Sequence, residues 1–321
     1  MMTLSFRSKT LMLSFFWIFI TLVSCIPRQK SMDVDQMPKT ETTPLSVESS
    51  RFLKNKVQRV KLSGSQDNLA IATWNIQHLG QSKTDDEIMF MAEVLRDFDI
   101  VAIQEVVAKH PAGAQKVAQL ADELNRKGAS WDYRISDPTK SPSMYISERY
   151  AFLWKTSKVE LVGRAYLDQE LESQINREPY LGKFRFKKLK QTFYVINFHS
   201  RTHKDHPELE IMYFKDYPNR LDSNNIIIAG DFNLNERHPV WNDLYQQGFK
   251  SSVKKAKTTL KRKCQLGGYL SHDIDNIYYS KGISLINSGV VDYIGDCENL
   301  EAARKISDHL PVFLEFGMSV H

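Results

Sequence analysis

From about residue 67 the chain alternates short apolar runs with longer stretches in which apolar residues return every three or four positions. Residues 68–74 (NLAIATW), 99–105 (DIVAIQE), 150–155 (YAFLWK), 192–199 (TFYVINFH), 224–231 (NNIIIAGD), 274–279 (IDNIYY) and 311–316 (PVFLEF) predict strands. The run Ile226–Ala229 is continuous rather than alternating, as in a strand covered on both faces. Thr84-Asp85-Asp86-Glu87 is a capping box, which predicts a helix from there to about Asp97 with Ile88, Met91, Ala92 and Leu95 on one face. Val117, Leu120, Ala121 and Leu124 mark a second amphipathic helix. Many strands with few helices fit a two-sheet α/β sandwich with outer helices, although periodicity alone does not fix the topology.

The first 66 residues break this pattern. Arg7 and Lys9 precede an apolar run over residues 11–23, short for a membrane span and typical of an export signal. It ends in Leu22-Val23-Ser24-Cys25, which resembles the bacterial lipoprotein processing box. That resemblance implies a signal peptide over 1–24, cleavage before Cys25 and a lipid on its thiol. An ordinary secretory signal or an uncleaved anchor are the alternatives, and all three place the remainder outside the cytoplasm. Residues 25–66 read as a flexible tether, with Pro27, Pro38 and Pro44 among many Ser and Thr.

Composition narrows the choice of class. With 42% hydrophobic and 11% aromatic residues the chain can build a core, which excludes general disorder. A net charge of +5 is too mild to imply a nucleic-acid partner by itself, so local clusters matter more. Residues 183–190 (KFRFKKLK) and 250–263 (KSSVKKAKTTLKRK) are basic and free of acids. Either suits a phosphate backbone, the first equally an edge hairpin guarded by lysines and the second a solvated loop. Beyond Cys25, Cys264 and Cys297 are either a disulfide, which the exported compartment permits, or two buried thiols.

Polar residues at the strand ends carry the chemistry. Asn75 follows the first strand, Glu105 ends the second and His199 ends residues 192–199. Asp231 and Asn233 follow the isoleucine run, Asp275 and Asn276 sit in IDNI, and Asp308-His309 precedes the last strand. Singly, each is an ordinary turn former, cap or structural histidine. Together they offer oxygen ligands for a hard cation, imidazoles for proton transfer and carboxylates to orient them. His199, His203 and His206 do not suggest zinc, because no helix face aligns them and no cysteine is near.

ATWNIQHLG, IVAIQEV, INFHS, IIIAGDFN, DIDNIYY and ISDHLPV occur in the order seen in the endonuclease/exonuclease/phosphatase superfamily, which the chain resembles over about residues 67–317. SERYAFLW (147–154) and NREPYLGKF (176–184) resemble its deoxyribonuclease I branch. The resemblance implies a four-layer α/β sandwich, two packed and mainly antiparallel sheets flanked by helices, in a domain over 67–321. It implies Mg²⁺ on Glu105 with Asn75 and Asp308 nearby, with Ca²⁺ or Mn²⁺ as a second or substitute ion. By the same carry-over, His309 oriented by Asp275 is the general base and His199 oriented by Glu148 the general acid. Asp231 and Asn233 position phosphate and water, while Arg177, Tyr145 and Asn276 contact substrate. Val107 departs from the branch by standing where an arginine usually enters the minor groove, and His78 replaces a small polar residue.

The expectation is an exported, lipid-anchored, monomeric Mg²⁺-dependent endonuclease that cleaves DNA with little sequence preference. A phospholipid phosphodiesterase of the same fold is the first rival, and a non-catalytic surface lipoprotein the second.

Overall fold

The structure is a computed structural model that describes residues 52–53, 59–140 and 147–318. The expected signal, Cys25, most of the expected tether and Tyr145 lie outside the described residues. In chain order the first half contains β1 (Leu69–Leu79), α1 (Asp85–Leu95), β2 (Ile100–Val107), α2 (Ala112–Arg126), β3 (Trp131–Ile135) and β4 (Glu148–Lys155). Next come β5 (Val159–Leu161), β6 (Tyr166–Leu167), β7 (Tyr180–Phe186), β8 (Gln191–His199) and β9 (Ile226–Asp231), the last two joined through short helical turns. The remainder holds β10 (Lys250–Ser251), β11 (Leu260–Gln265), β12 (Gly268–Leu270), β13 (Asp275–Tyr279), β14 (Ile283–Val290), α3 (Leu300–Ile306) and β15 (Val312–Met318).

Two sheets form, one in the order β14-β15-β1-β2-β4-β3 and one in the order β10-β13-β9-β8-β7-β5, with β6 beside β7. β11 and β12 pair only with each other. The strand alternation sorts side chains into three cores. Leu69 and Ile71 of β1 meet Phe193, Val195, Ile227 and Ala229 between the sheets. Ala70, Ala72 and Trp74 turn the other way, onto Ile88, Met91, Leu95, Val117, Leu120 and Leu124 of the helices. Ile226 and Ile228 face outward onto Phe214, Phe232 and Trp241. The continuous isoleucine run therefore belongs to a strand buried on both faces, and the four layers are helix, sheet, sheet and helical turns.

The capping box forms as expected: Glu87 N–H donates to Thr84 Oγ1 at 3.3 Å and Thr84 N–H donates to Glu87 Oε2 at 2.8 Å. Thr84→Ala should lower stability by about 1 kcal/mol, read as a fall of a few degrees in the thermal midpoint.

Most pairings are antiparallel, but each sheet contains one parallel pair, β1–β2 and β8–β9. Parallel neighbours end at the same edge, so the C-terminal ends of β1 and β2 lie together, as do those of β8 and β9. His199 stands directly opposite Asp231 in that register. Antiparallel β4, β13 and β15 begin where these strands end, which brings Glu148, Asp275 and the His309 segment to the same edge.

Candidate active site

Local backbone irregularities aim the side chains at this edge. β2 shifts register against β4 between Ile103 and Val106, and β1 shifts against β2 between Asn75 and Leu79. Glu105, His78 and Asn233 adopt positive φ values of 60°, 52° and 50°, an arrangement that costs of order 1–3 kcal/mol per residue. Bulges commonly re-aim a side chain in this way. Asn75, expected just past the first strand, lies inside β1, which continues through the irregularity to Leu79. Its Nδ2 donates to Glu105 Oε1 at 3.0 Å and to Asp231 Oδ2 at 3.2 Å, linking the two sheets.

Two histidine–carboxylate pairs face each other across Asp231. His309 Nδ1 lies 2.9 Å from Asp275 Oδ2, and its Nε2 lies 3.7 Å from Asp231 Oδ2. His199 Nδ1 lies 3.0 Å from both Glu148 oxygens, and its Nε2 lies 3.5 Å from the same Asp231 oxygen. All five groups are nearly removed from solvent. Burial opposes charge on His309, but Asp275 and Asp231 outweigh it and raise its pKa to about 10. Burial and Arg177 oppose charge on His199, yet Glu148 and Asp231 hold it above the ordinary 6.5. Burial pushes the Asp275 carboxyl up, and His309 draws it back only in part.

Asn233 N–H donates to Asp231 Oδ1 at 2.9 Å, so the turn chemistry after β9 orients the carboxylate. Asp308 Oδ2 accepts from Gln77 Nε2 at 3.2 Å and is part-exposed at the rim.

Of the expected substrate contacts, Asn276 turns away from the imidazoles, whereas Arg177 lies beside the His199–Glu148 pair. Asn276 follows Asp275 on β13, so strand alternation turns it to the opposite face. Its amide donates to the Val253 carbonyl at 3.0 Å and accepts from Ser252 Oγ at 3.3 Å, which holds a neighbouring segment rather than facing the imidazoles. Arg177 is buried; its guanidinium donates to the carbonyls of His199, at 3.1 Å, and Ser200. It also stands 3.8 Å from Glu148. It therefore braces the His199–Glu148 pair from behind. Val107 packs on Gly80 and Gly113 instead of reaching outward. His78 is exposed, 3.8 Å from Glu105, and its N–H donates to that carboxylate at 3.2 Å. His203 is exposed and does not join His199.

The basic clusters separate. Residues 187–190 form the turn between β7 and β8, about 27 Å along β8 from His199 at the strand rise per residue. There Lys188 pairs with Asp67 at 2.7 Å, and Arg185 pairs with Glu160. The 250–263 segment reaches the site directly. Thr258 Oγ1 donates to Asp275 Oδ2 at 2.6 Å, Thr259 bridges to His309, and Leu260 N–H donates to the Asp308 carbonyl at 2.8 Å.

Several supporting residues carried no legible signal. Lys83, buried, donates at 2.7 Å to the Lys305 and Ile306 carbonyls and so closes α3 just before Asp308-His309. Trp74 Nε1 donates to the His309 carbonyl at 2.9 Å. Gln104 Nε2 donates to Asn197 Oδ1 at 2.6 Å, and Asn197 donates to the Ile103 and Ala151 carbonyls, which ties the sheets together beneath the site. Asn197 lies two residues before His199, on the same strand face. A polar residue at that spacing in an apolar strand was the one available hint.

A hard cation suits the oxygen set. Asn75 Oδ1 is buried with no hydrogen-bond partner among the described residues, beside the carboxylates of Glu105 and Asp231. Asp231, Asp275 and His309 also offer three ligand atoms within 4.8 Å of one another. Asp275, however, is already committed to His309 and Thr258. The donor set around Asn75 and Glu105 is the better match for a hard divalent cation.

The sequence profile described as "Endonuclease/Exonuclease/phosphatase family" matches residues 72–309. A deoxyribonuclease of Thioalkalivibrio sp. (strain K90mix) is 29% identical over 81% of this chain and 74% of its own length. Deoxyribonuclease-1-like 1 of Sus scrofa is 28% identical over 81% of this chain and 84% of its own. Among solved structures, an endonuclease/exonuclease/phosphatase from Bacteroides vulgatus superposes with a TM-score of 0.60 at 14% identity, covering 78% of this chain and 99% of that one.

Proposed function

Because the chain belongs to the endonuclease/exonuclease/phosphatase family, we propose that it is a divalent-metal-dependent phosphodiesterase that nicks DNA with little sequence preference. One observation carries the reading: two imidazoles, each backed by its own carboxylate, aim their free nitrogens at Asp231 Oδ2 from 3.5 and 3.7 Å. Hydrolysis of a diester needs a proton taken from water and a proton given to the departing sugar oxygen. His199, whose hold on a proton Glu148 and Asp231 strengthen, suits the donor. His309, fixed in one tautomer by Asp275, suits the acceptor. Asp231 and Asn233 orient the attacked phosphate and water between them.

Glu105, with Asn75 Oδ1 and Asp308 as further oxygen donors, would hold Mg²⁺, Ca²⁺ or Mn²⁺, which supplies positive charge to the phosphoryl oxygens and offsets the carboxylate field that keeps His309 protonated. DNA is favoured over a phospholipid by the deoxyribonuclease relatives, which align across most of the chain. The reading extends to an exported lipoprotein processed at Cys25, whose tether holds a monomeric domain at the cell surface or on the periplasmic face of a membrane. No helix among the described residues is long and apolar enough to cross one.

The test is nicking of supercoiled plasmid by the full chain in Mg²⁺, abolished by a chelator. Glu105→Gln should raise the Mg²⁺ concentration for half-maximal rate by about ten- to a hundredfold. Plasmid left intact with Mg²⁺, Ca²⁺ and Mn²⁺ while labelled sphingomyelin is hydrolysed would replace the DNA reading with the phospholipid one.

A further inference from the structure

β11 and β12 form a hairpin that belongs to neither sheet, and its root lies on the catalytic segment. Leu260 N–H donates to the Asp308 carbonyl at 2.8 Å, and Arg304 donates to the Leu260 carbonyl at 3.0 Å. Cys264, midway along the arm, is disulfide-bonded to Cys297, with Cα atoms 5.8 Å apart. Tyr269 and Leu270 pack on the helix-side core. The arm is thus fixed at its base, its middle and its returning strand, so its tip has a set position relative to His309.

The tip is not explained by folding. Gln265 pairs with Gly268 across the two-residue turn Leu266-Gly267, in which φ is 50° and 74°. Two positive φ values define the hairpin turn that favours Asn-Gly or Asp-Gly, and a leucine at its first position is strained. Leu266 is also the most exposed large apolar side chain described, at 109% of its reference area. It therefore stabilises nothing within the domain. Beside it, Arg262 and Lys263 are exposed and have no hydrogen-bond or ion-pair partner among the described residues. Asp292 accepts from the Tyr269 hydroxyl, and Asp296 accepts turn N–H groups at 3.0 and 3.3 Å, so neither pairs with these cations.

We propose that the hairpin Leu260–Leu270 is a DNA-gripping arm, in which Arg262 and Lys263 contact phosphates and Leu266 presses into a groove of duplex DNA. The proposal rests on the deoxyribonuclease reading above and names the form of its substrate. A two-stranded ribbon fits the major groove, where an exposed apolar side chain can rest against thymine methyls. At the strand rise per residue the arm reaches about 20 Å from Leu260 to Leu266, a length comparable with about six base-pair steps. The root of the arm on the Asp308 carbonyl keeps its two unpaired cations near a nucleic acid held at His309, which favours nucleic acid over a lipid surface. The arm also supplies a grip that Val107, packed inward, does not.

The test compares the full chain, Leu266→Asn and a double Arg262→Gln/Lys263→Gln variant on a duplex of about 30 base pairs and on bis(p-nitrophenyl) phosphate, a diester too small to reach the arm. Leu266→Asn should raise KM for the duplex about tenfold, with a far smaller change on the small diester and no fall in thermal midpoint, since Asn suits the turn better. The double variant should flatten the salt dependence of duplex KM by about two phosphate contacts. Wild-type KM and salt dependence in both variants overturn the proposal. So does loss of binding to phosphatidylglycerol vesicles with duplex KM unchanged, which assigns the tip to a lipid surface. A wild-type chain that turns over the small diester but leaves duplex intact brings down the deoxyribonuclease reading itself, a result distinct from a failed arm.

Discussion

His309→Ala lowers plasmid nicking by about a thousandfold or more, the range expected when a general base is lost. The reason is positional. Nε2 of His309 is the one free nitrogen of a ring whose other nitrogen is held 2.9 Å from Asp275, and it points to Asp231 where phosphate and water would sit. Asp275→Asn produces a similar loss with little change of shape, because an amide facing Nδ1 can hold the wrong tautomer. His199→Ala separates the two roles. An alanine at the acid position should cost much less on bis(p-nitrophenyl) phosphate, whose leaving group departs without a proton, whereas the His309 loss should persist. Rates at saturating Mg²⁺ decide it. A His309→Ala protein that nicks within tenfold of wild type would remove this residue from the reaction.

Gly230→Ala unfolds the site from below. Gly230 has φ 154°, and a Cβ there would lie 1.8 Å from the Phe198 carbonyl oxygen, inside the parallel pairing of β8 and β9. Backbone cannot yield as a flexible side chain can, so the strands must part. The parting falls between Phe198 and Gly230, one residue before His199 and Asp231 face each other. We expect a loss of about 4 kcal/mol or more, at the rare end of single substitutions, or a fall of roughly 10 °C in thermal midpoint. Nicking should fall even at temperatures where the variant remains folded, because the His199–Asp231 distance depends on that register. Thermal denaturation and low-temperature rates measure the two parts. A midpoint within 2 °C or so of wild type would show that the strands accommodate the methyl group.

The turn residues after the isoleucine run illustrate what the sequence discloses. Gly230-Asp231-Phe232-Asn233 could be read as a strand end, and its company with Glu105, His199 and His309 as a site, because strand ends and motif order are local properties. Facing is less local. Asn276 looked equivalent to Asp275, yet the two-residue period of β13 sends it to the other side. Arg177 could be read only as a motif residue, yet its Nε and one Nη donate to two carbonyls of a strand end that only the folded sheet places there. Lys83 and Gln104 were invisible for the same reason. Their partners stand 93 or more residues away for the bonds that matter, and sheet packing rather than spacing selects them. The four-layer architecture could be inferred only through the family resemblance, since alternation predicts strands but not which of them pair in parallel.

The two parallel pairs have a consequence for how activity can be gained or lost. Asn75 and Glu105 come from one sheet, His199, Asp231 and Asp275 from the other, and His309 from a segment near the end of the described chain. No half of the molecule contains a working subset. An amino-terminal fragment carries Asn75 and Glu105, the proposed ion ligands, without Asp308 or His309, and a carboxy-terminal fragment carries both imidazoles without Glu105 or the Glu148 beside one of them. Long-range pairings of this kind form late and together. A nascent or partly threaded chain is therefore chemically silent, and the capacity to cut arrives only with the closed sandwich.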